Sequence, residues 1–99
     1  MCFSTDWPVV PVDVMPSVKG AVFRPDLPPE WPDQTSCLRD TLESYTSLNA
    51  WVEFNEHRKG KLVPGMMADV VVMDHDLEAM DPAHLDKARA AVTLMGGRI

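Results

Sequence analysis

Residues 59–74 run Lys59-Gly60-Lys61-Leu62-Val63-Pro64-Gly65-Met66-Met67-Ala68-Asp69-Val70-Val71-Val72-Met73-Asp74. The stretch passes from a basic turn, Arg58-Lys59-Gly60-Lys61, through a Pro-Gly corner into an apolar run. Pro64-Gly65 suits a type II turn, because proline presets φ at the first central position and glycine takes the positive φ needed at the second. Ala68 to Met73 then reads as a strand. Its Val70-Val71-Val72-Met73 segment places four apolar residues in succession, which predicts a strand covered on both faces. The polar Asp74-His75-Asp76 closes it.

Working towards the C-terminus, Asp81-Pro82-Ala83-His84 predicts a helical turn with Asp81 as cap and Pro82 at the first position. Ala90 to Met95 is a second strand, and Gly96-Gly97 is a pair favoured in two-residue hairpin turns. Only Arg98 and Ile99 follow, whereas a hairpin arm needs roughly five residues. Met1-Cys2-Phe3 reads as a buried strand stub with no lead-in. Both ends therefore read as cut, and a cut domain exposes core-type surface; the alternative is a short edge strand ending a complete small domain.

Working towards the N-terminus, Leu38, Leu42, Tyr45, Leu48 and Val52 recur at helical spacing and predict one helical region that ends at Gly60. Ser36 is its expected cap, ahead of Cys37. Arg39 and Glu43 form an i,i+4 pair worth only tenths of a kcal/mol. Seven of the nine prolines lie at or before Pro32, so regular structure there must be short. Residues 6–13 are expected as ordered loop, Met15 to Phe23 as a short helix, and residues 24–33 as loop.

The whole chain has 99 residues, 45% of them hydrophobic and 24% charged, with a net charge of −6. That is ordinary globular composition for one domain or part of one. The acidic balance excludes nucleic acid as a partner, since phosphate binding calls for a basic face. No apolar run approaches the ~20 residues of a membrane span, and no signal-peptide pattern opens the chain. Cys2 and Cys37 form neither a disulfide framework nor a Cys-x-x-Cys metal site. A reducing, cytoplasmic setting is expected.

Several segments resemble one family. Phe3-Ser4-Thr5-Asp6-Trp7-Pro8-Val9 is similar to the Phe-Gly-Ser-Asp-Trp-Pro-Val segment of the amidohydrolase superfamily, in the amidohydrolase family 3 branch that includes enzymes similar to N-substituted formamide deformylase. Tyr45-Thr46-Ser47-Leu48-Asn49-Ala50 resembles that family's Tyr-Thr-x-x-x-Ala helix. Residues 59–74 resemble its Lys-Gly-x-x-x-Pro-Gly-x-x-Ala-Asp-hydrophobic-Asp signature, and Val92-Thr93-Leu94-Met95-Gly96-Gly97-Arg98 resembles its closing strand pair, with one offset. In the family these are the last pieces of a protein several times this length. Ser4 and Thr5 stand where the family has glycine and serine, so a bulkier residue precedes the aspartate.

The resemblance implies an α+β fragment: the last strand and helices of a (β/α)8 TIM barrel, plus the C-terminal strands of a small β-sandwich. Residues 1–58 would be the end of the barrel, with residues 1–5 as its eighth strand and residues 14–55 as its closing helices. Residues 59–99 would return to the sandwich. Asp6 then stands at the C-terminal end of a barrel strand, where barrel enzymes keep their chemistry. The implied parent hydrolyses amide or formamide-type C–N bonds of small molecules with a divalent metal, zinc being the expected ion. Such a metal lowers the pKa of a bound water to about 7, and a neighbouring carboxylate can carry the water's proton to the leaving amine. Asp6 is the residue carried over to this role and is also a candidate metal ligand; Trp7 is a candidate substrate-pocket residue.

The family's His-x-His pair and later histidines have no counterpart here. His57, His75 and His84 suit no common zinc spacing and are read as surface residues, with His75 at the solvated end of a strand. Asp69 is expected to bond backbone. The isolated chain is therefore expected to bind no metal, to hydrolyse nothing, and to need the missing N-terminal part of the barrel as its partner. The competing reading is a small acidic, non-enzymatic α+β interaction module, which would be a soluble monomer with a sharp thermal transition.

Overall fold

Asp13 and Pro16 start the first regular element. The Asp13 carboxylate accepts from the Met15 amide at 3.0 Å, and Pro16 lies in the first turn, where its missing N–H costs nothing. The result in this computed structural model, which describes residues 1–99, is helix α1 (Met15–Val22). It agrees with the expected Met15–Phe23 helix to within one residue. α1 buries Met15 and Val18 against Leu85 and Ala88. Leu85 belongs to a 3-10 helix (Pro82–Lys87) begun by Asp81, whose carboxylate accepts from Ala83 N, and by Pro82, as the sequence predicts. The Lys19 ammonium lies 3.2 Å from the Asp86 carboxylate and bridges the two elements. These four residues are the main core.

The middle helix is broken in two, α2 (Leu38–Tyr45) and α3 (Ser47–Val52), where the periodicity predicted one. The break falls at Thr46, with φ −122° and ψ −91°. Its cause lies in the hydroxyls. Thr41, Ser44 and Thr46 each donate to the carbonyl four residues back, at 2.8–2.9 Å, and such bonds compete with the helix ladder and bend it. The cap also differs. Cys37, not Ser36, is the N-cap, its sulfur accepting from Asp40 N at 3.4 Å. The Ser36 amide is instead bonded to Ala21 O at the end of α1, at 2.8 Å. That tie sets the register in which the helix begins.

The strands form an antiparallel two-stranded ribbon, β1 (Val70–Met73) with β2 (Ala90–Leu94), in the register Val70↔Leu94, Val71↔Thr93, Val72↔Val92. The register then shifts, so that Met73 meets Ala90 and Ala91 is the extra residue of a bulge. Val70 and Met73 are half-buried, and Met73 packs against the core cluster. Val71 and Val72 are 55% and 49% exposed. The expectation of two covered faces is thus corrected: Val71 and Val72 point to opposite faces of the strand and both are exposed, so the two-stranded ribbon leaves both faces largely bare.

The expected turns form. Met66 N bonds Val63 O at 3.1 Å across Pro64-Gly65, with Gly65 at φ +93°. Gly96 and Gly97, at φ +57° and +79°, form a two-residue turn that Met95 and Arg98 close with reciprocal hydrogen bonds. Arg98 therefore does pair, by one bridge. Asp69 bonds backbone as expected, its carboxylate accepting from Gly96 N at 2.8 Å. Met1–Phe3 carries no ladder, and Met1 and Cys2 are exposed, which corrects the buried strand expected there: no other strand of this chain lies beside it. The α+β class stands. No helix is long and apolar enough to cross a membrane.

Candidate active-site loop

Residues 1–5 lead to the turn that carries Asp6, and the α2–α3 unit supports them. Phe3 N donates to Ser44 O at 3.3 Å. Phe3 O accepts from the side-chain amide of Asn49 at 3.0 Å. The Phe3 ring lies tilted against Tyr45, with centroids 5.7 Å apart, and the Cys2 thiol donates to Leu48 O at 3.4 Å. Helix ends leave carbonyls free, and the break at Thr46 makes one of them, Ser44 O, available to the segment.

Asp6 follows three residues later at φ +52°, a conformation aspartate tolerates better than most residues. Its amide donates to Ser4 Oγ at 3.2 Å, so the serine that departs from the family's glycine supplies a hydrogen bond glycine could not. Val9 N donates to Asp6 O at 2.9 Å and closes the turn around the cis Trp7–Pro8 bond. Asp6 is exposed, and Trp7 beside it is 68% exposed. The turn presents both side chains outward from one end of the supported segment.

The other polar groups named from the sequence lie elsewhere. His75 Nδ1 bonds its neighbour Asp74 at 2.8 Å at the end of β1. Asp74 also accepts from Arg89 N at 2.8 Å. These two bonds, the Arg89 amide first, hold the Asp74 carboxyl below the ordinary aspartate range. His84 lies near Asp81 on the 3-10 helix. His57 is exposed on a loop. No three His, Cys, Asp or Glu side chains are gathered as a metal would require. Asp6 alone does not make a metal site, and this chain's residues do not by themselves fit the ion.

A shallow groove of about 450 Å³ lies between the N-terminal segment, α1 and α2, lined by Phe3, Ser4, Arg24 and Tyr45 among others. It stops short of Asp6 and Trp7. Sequence reasoning missed the supports of the loop, Ser44 O and Asn49. The Asn49–Phe3 bond joins residues 46 apart, and no local pattern signals it.

A family model described as Amidohydrolase family matches residues 1–99. The chain is 30% identical over 104 residues to Protein LONG AFTER FAR-RED 3 of Arabidopsis thaliana, an alignment covering 99% of this chain and 17% of that protein. It is 30% identical over 101 residues to YtcJ of Bacillus subtilis (strain 168), whose name assigns it to the amidohydrolases, covering 96% of this chain and 19% of the relative. The chain thus spans less than a fifth of the length of these two curated relatives. No solved structure matches it significantly.

Proposed function

The chain belongs to the amidohydrolase family, and from that premise we propose that it is the C-terminal portion of a metal-dependent hydrolase of non-peptide C–N bonds, with Asp6 as its proton carrier. The observation that carries the reading is the family match over residues 1–99 together with Asp6 standing exposed at the end of a segment held by helices. In this reading residues 1–58 complete a (β/α)8 barrel and residues 59–99 return to a β-sandwich. The partner is the rest of the barrel, whose strands supply the metal ligands, and the setting is cytoplasmic.

The chemistry assigned to this chain is proton transfer. The Asp6 carboxylate accepts a proton from the water that attacks the amide carbon. It then returns that proton to the leaving nitrogen as the C–N bond breaks, which regenerates the carboxylate. One positioned group serving as base and then acid contributes typically 10²–10⁴-fold. Trp7, next in the turn, forms one wall for the acyl or formyl end of a small substrate.

The test is a chimera in which this chain replaces the segment it matches in the Bacillus subtilis relative. Zinc-supplemented assays use N-acyl and formamide substrates that the unaltered relative turns over. The chimera is expected to hydrolyse them, and Asp6→Asn to lower kcat by roughly 10²-fold or more. The isolated chain is expected to show no turnover. Robust hydrolysis by the isolated chain, or full activity in the Asp6→Asn chimera, refutes the reading.

A further inference from the structure

The loop that carries Asp6 and Trp7 is tied at both ends. Upstream, Val9 N donates to Asp6 O at 2.9 Å. Downstream, the loop ends at Asp13, whose two carboxylate oxygens face different partners. Oδ1 accepts from Met15 N at 3.0 Å and starts α1. Oδ2 lies 3.7 Å from the guanidinium of Arg89, just ahead of β2. We propose that Arg89 is a positioning residue for Trp7: through Asp13 it anchors the downstream end of the 6–13 loop to residues 59–99, and so holds the substrate wall in place.

Exposed ion pairs usually contribute little, because two mobile side chains must be ordered to form them. Here both partners are ordered by other bonds. Arg89 Nη1 donates to Asp86 O at 2.7 Å and to Ala88 O at 2.8 Å. The Arg89 backbone is fixed too, its N–H on the Asp74 carboxylate at 2.8 Å and its carbonyl on Asp74 N at 2.9 Å. Asp13 is held by the start of α1. Beneath both lies the main core, where Leu85 and Ala88 meet Met15 and Val18. Between Asp13 and Trp7 stand Pro8 and Pro11, each with φ fixed by its ring, so few free torsions absorb a shift at Asp13.

The consequence for substrate rests on Trp7 being a pocket wall; the anchor itself does not. Asp13→Asn, Arg89→Met, their double variant and Trp7→Ala are made in the chimera. Asparagine caps a helix as well as aspartate does, so Asp13→Asn removes the charge and keeps the start of α1. Arg89→Met removes the guanidinium and keeps both backbone bonds to Asp74. Valine-methyl NMR is expected to show lower order at Val9, Val10 and Val12 in either variant, with Val18 in the core unchanged. KM is expected to rise about two- to fivefold, the scale of one such ion pair, with kcat within about 1.5-fold, the split that marks lost binding. The double variant should be no worse than Arg89→Met, because two residues acting through one contact do not add.

Unchanged order at the three loop valines, or additive effects in the double variant, overturns the anchor. A fall in kcat at constant KM, which lost stability alone produces, overturns the positioning role. So does a loosened loop with unchanged KM when Trp7→Ala raises it. An unaltered KM in Trp7→Ala refutes the pocket-wall reading and the substrate half of this proposal with it, and the methyl data still judge the anchor on its own.

Discussion

Gly60 stands at φ +92°, and a Cβ added there would lie 2.7 Å from Ala50 Cβ and 3.1 Å from Thr46 O. Both penalties act together, left-handed backbone and a steric clash beside the α2–α3 break. Gly60→Ala is therefore expected to cost about 2–4 kcal/mol. Gly65 has a similar φ of +93° but open space around it, so Gly65→Ala should cost only about 1–2 kcal/mol. Urea midpoints of the two variants measure the difference, and equal losses would refute the packing argument. Phe54 is the reverse case. It sits at φ +58° and is 81% exposed, in the left-handed position after α3. There Phe54 N bonds Trp51 O and Asn55 N bonds Ala50 O, a Schellman closure. Glycine is the usual occupant, so Phe54→Gly should stabilise the isolated chain by about 0.5–1 kcal/mol, the relief of backbone strain less glycine's entropy. Legibility follows the range of the cause. Gly65 is readable because Pro64 beside it names the turn. Gly60 is readable only as a helix stop, because its contact with Ala50 is made in three dimensions.

Asp74 ties the end of β1 to the start of β2. Its carboxylate accepts from Arg89 N, its own amide donates to Arg89 O at 2.9 Å, and the Arg89 guanidinium lies 3.7 Å from Asp13 ahead of α1. The folded carboxyl titrates below its unfolded value, because the Arg89 amide and the His75 ring favour the charged form. The stabilisation is thus complete above the unfolded pKa of about 3.9 and is lost as pH falls through the lower folded value. Acidification should loosen the ribbon first at this junction, seen as a fall in the protection of the Arg89 amide relative to its intrinsic exchange rate at each pH. Asp74→Asn keeps an acceptor without the charge, so its loss of melting temperature between pH 7 and pH 3 should be smaller than the parent's. An identical loss would refute the role of Asp74. The elements whose causes are local, the Asp81-Pro82 start and the Gly96-Gly97 turn, were readable from neighbouring residues. The Cys37 cap, the split at Thr46 and the bulge at Ala91 were not. Each is decided by a partner distant in sequence or by side-chain hydroxyls competing with the backbone, and hydrophobic period carries neither kind of information. The same limit hid the Asn49–Phe3 bond, and the candidacy of Asp6 rests on the motif around it.

The molecule as a whole is under-covered. Its accessible surface is 7472 Å², where a folded monomer of 11.0 kDa should expose about 5,600 Å². Its radius of gyration is 14.7 Å, against about 12.6 Å for a compact domain of this length. Only seven residues are buried, while Trp51, Val52, Phe54, Leu62 and Val63 are exposed along one stretch and Val9, Val10, Val12 and Val14 along another. Exposed apolar area on this scale marks contact surface, and a core of four residues can offset little of the ordering entropy of the whole chain. The isolated chain should therefore bind an apolar dye, associate as its concentration rises, and unfold over a broad range with a low denaturant slope, since m follows the surface newly exposed. In the chimera the same residues gain neighbours, so dye binding should vanish and the transition sharpen. Sedimentation and urea titration of both proteins decide it. A monomer that excludes dye and melts sharply would favour a self-contained interaction module. It would also leave Asp6 as an ordinary turn aspartate, since nothing would then be needed to complete the surface around it.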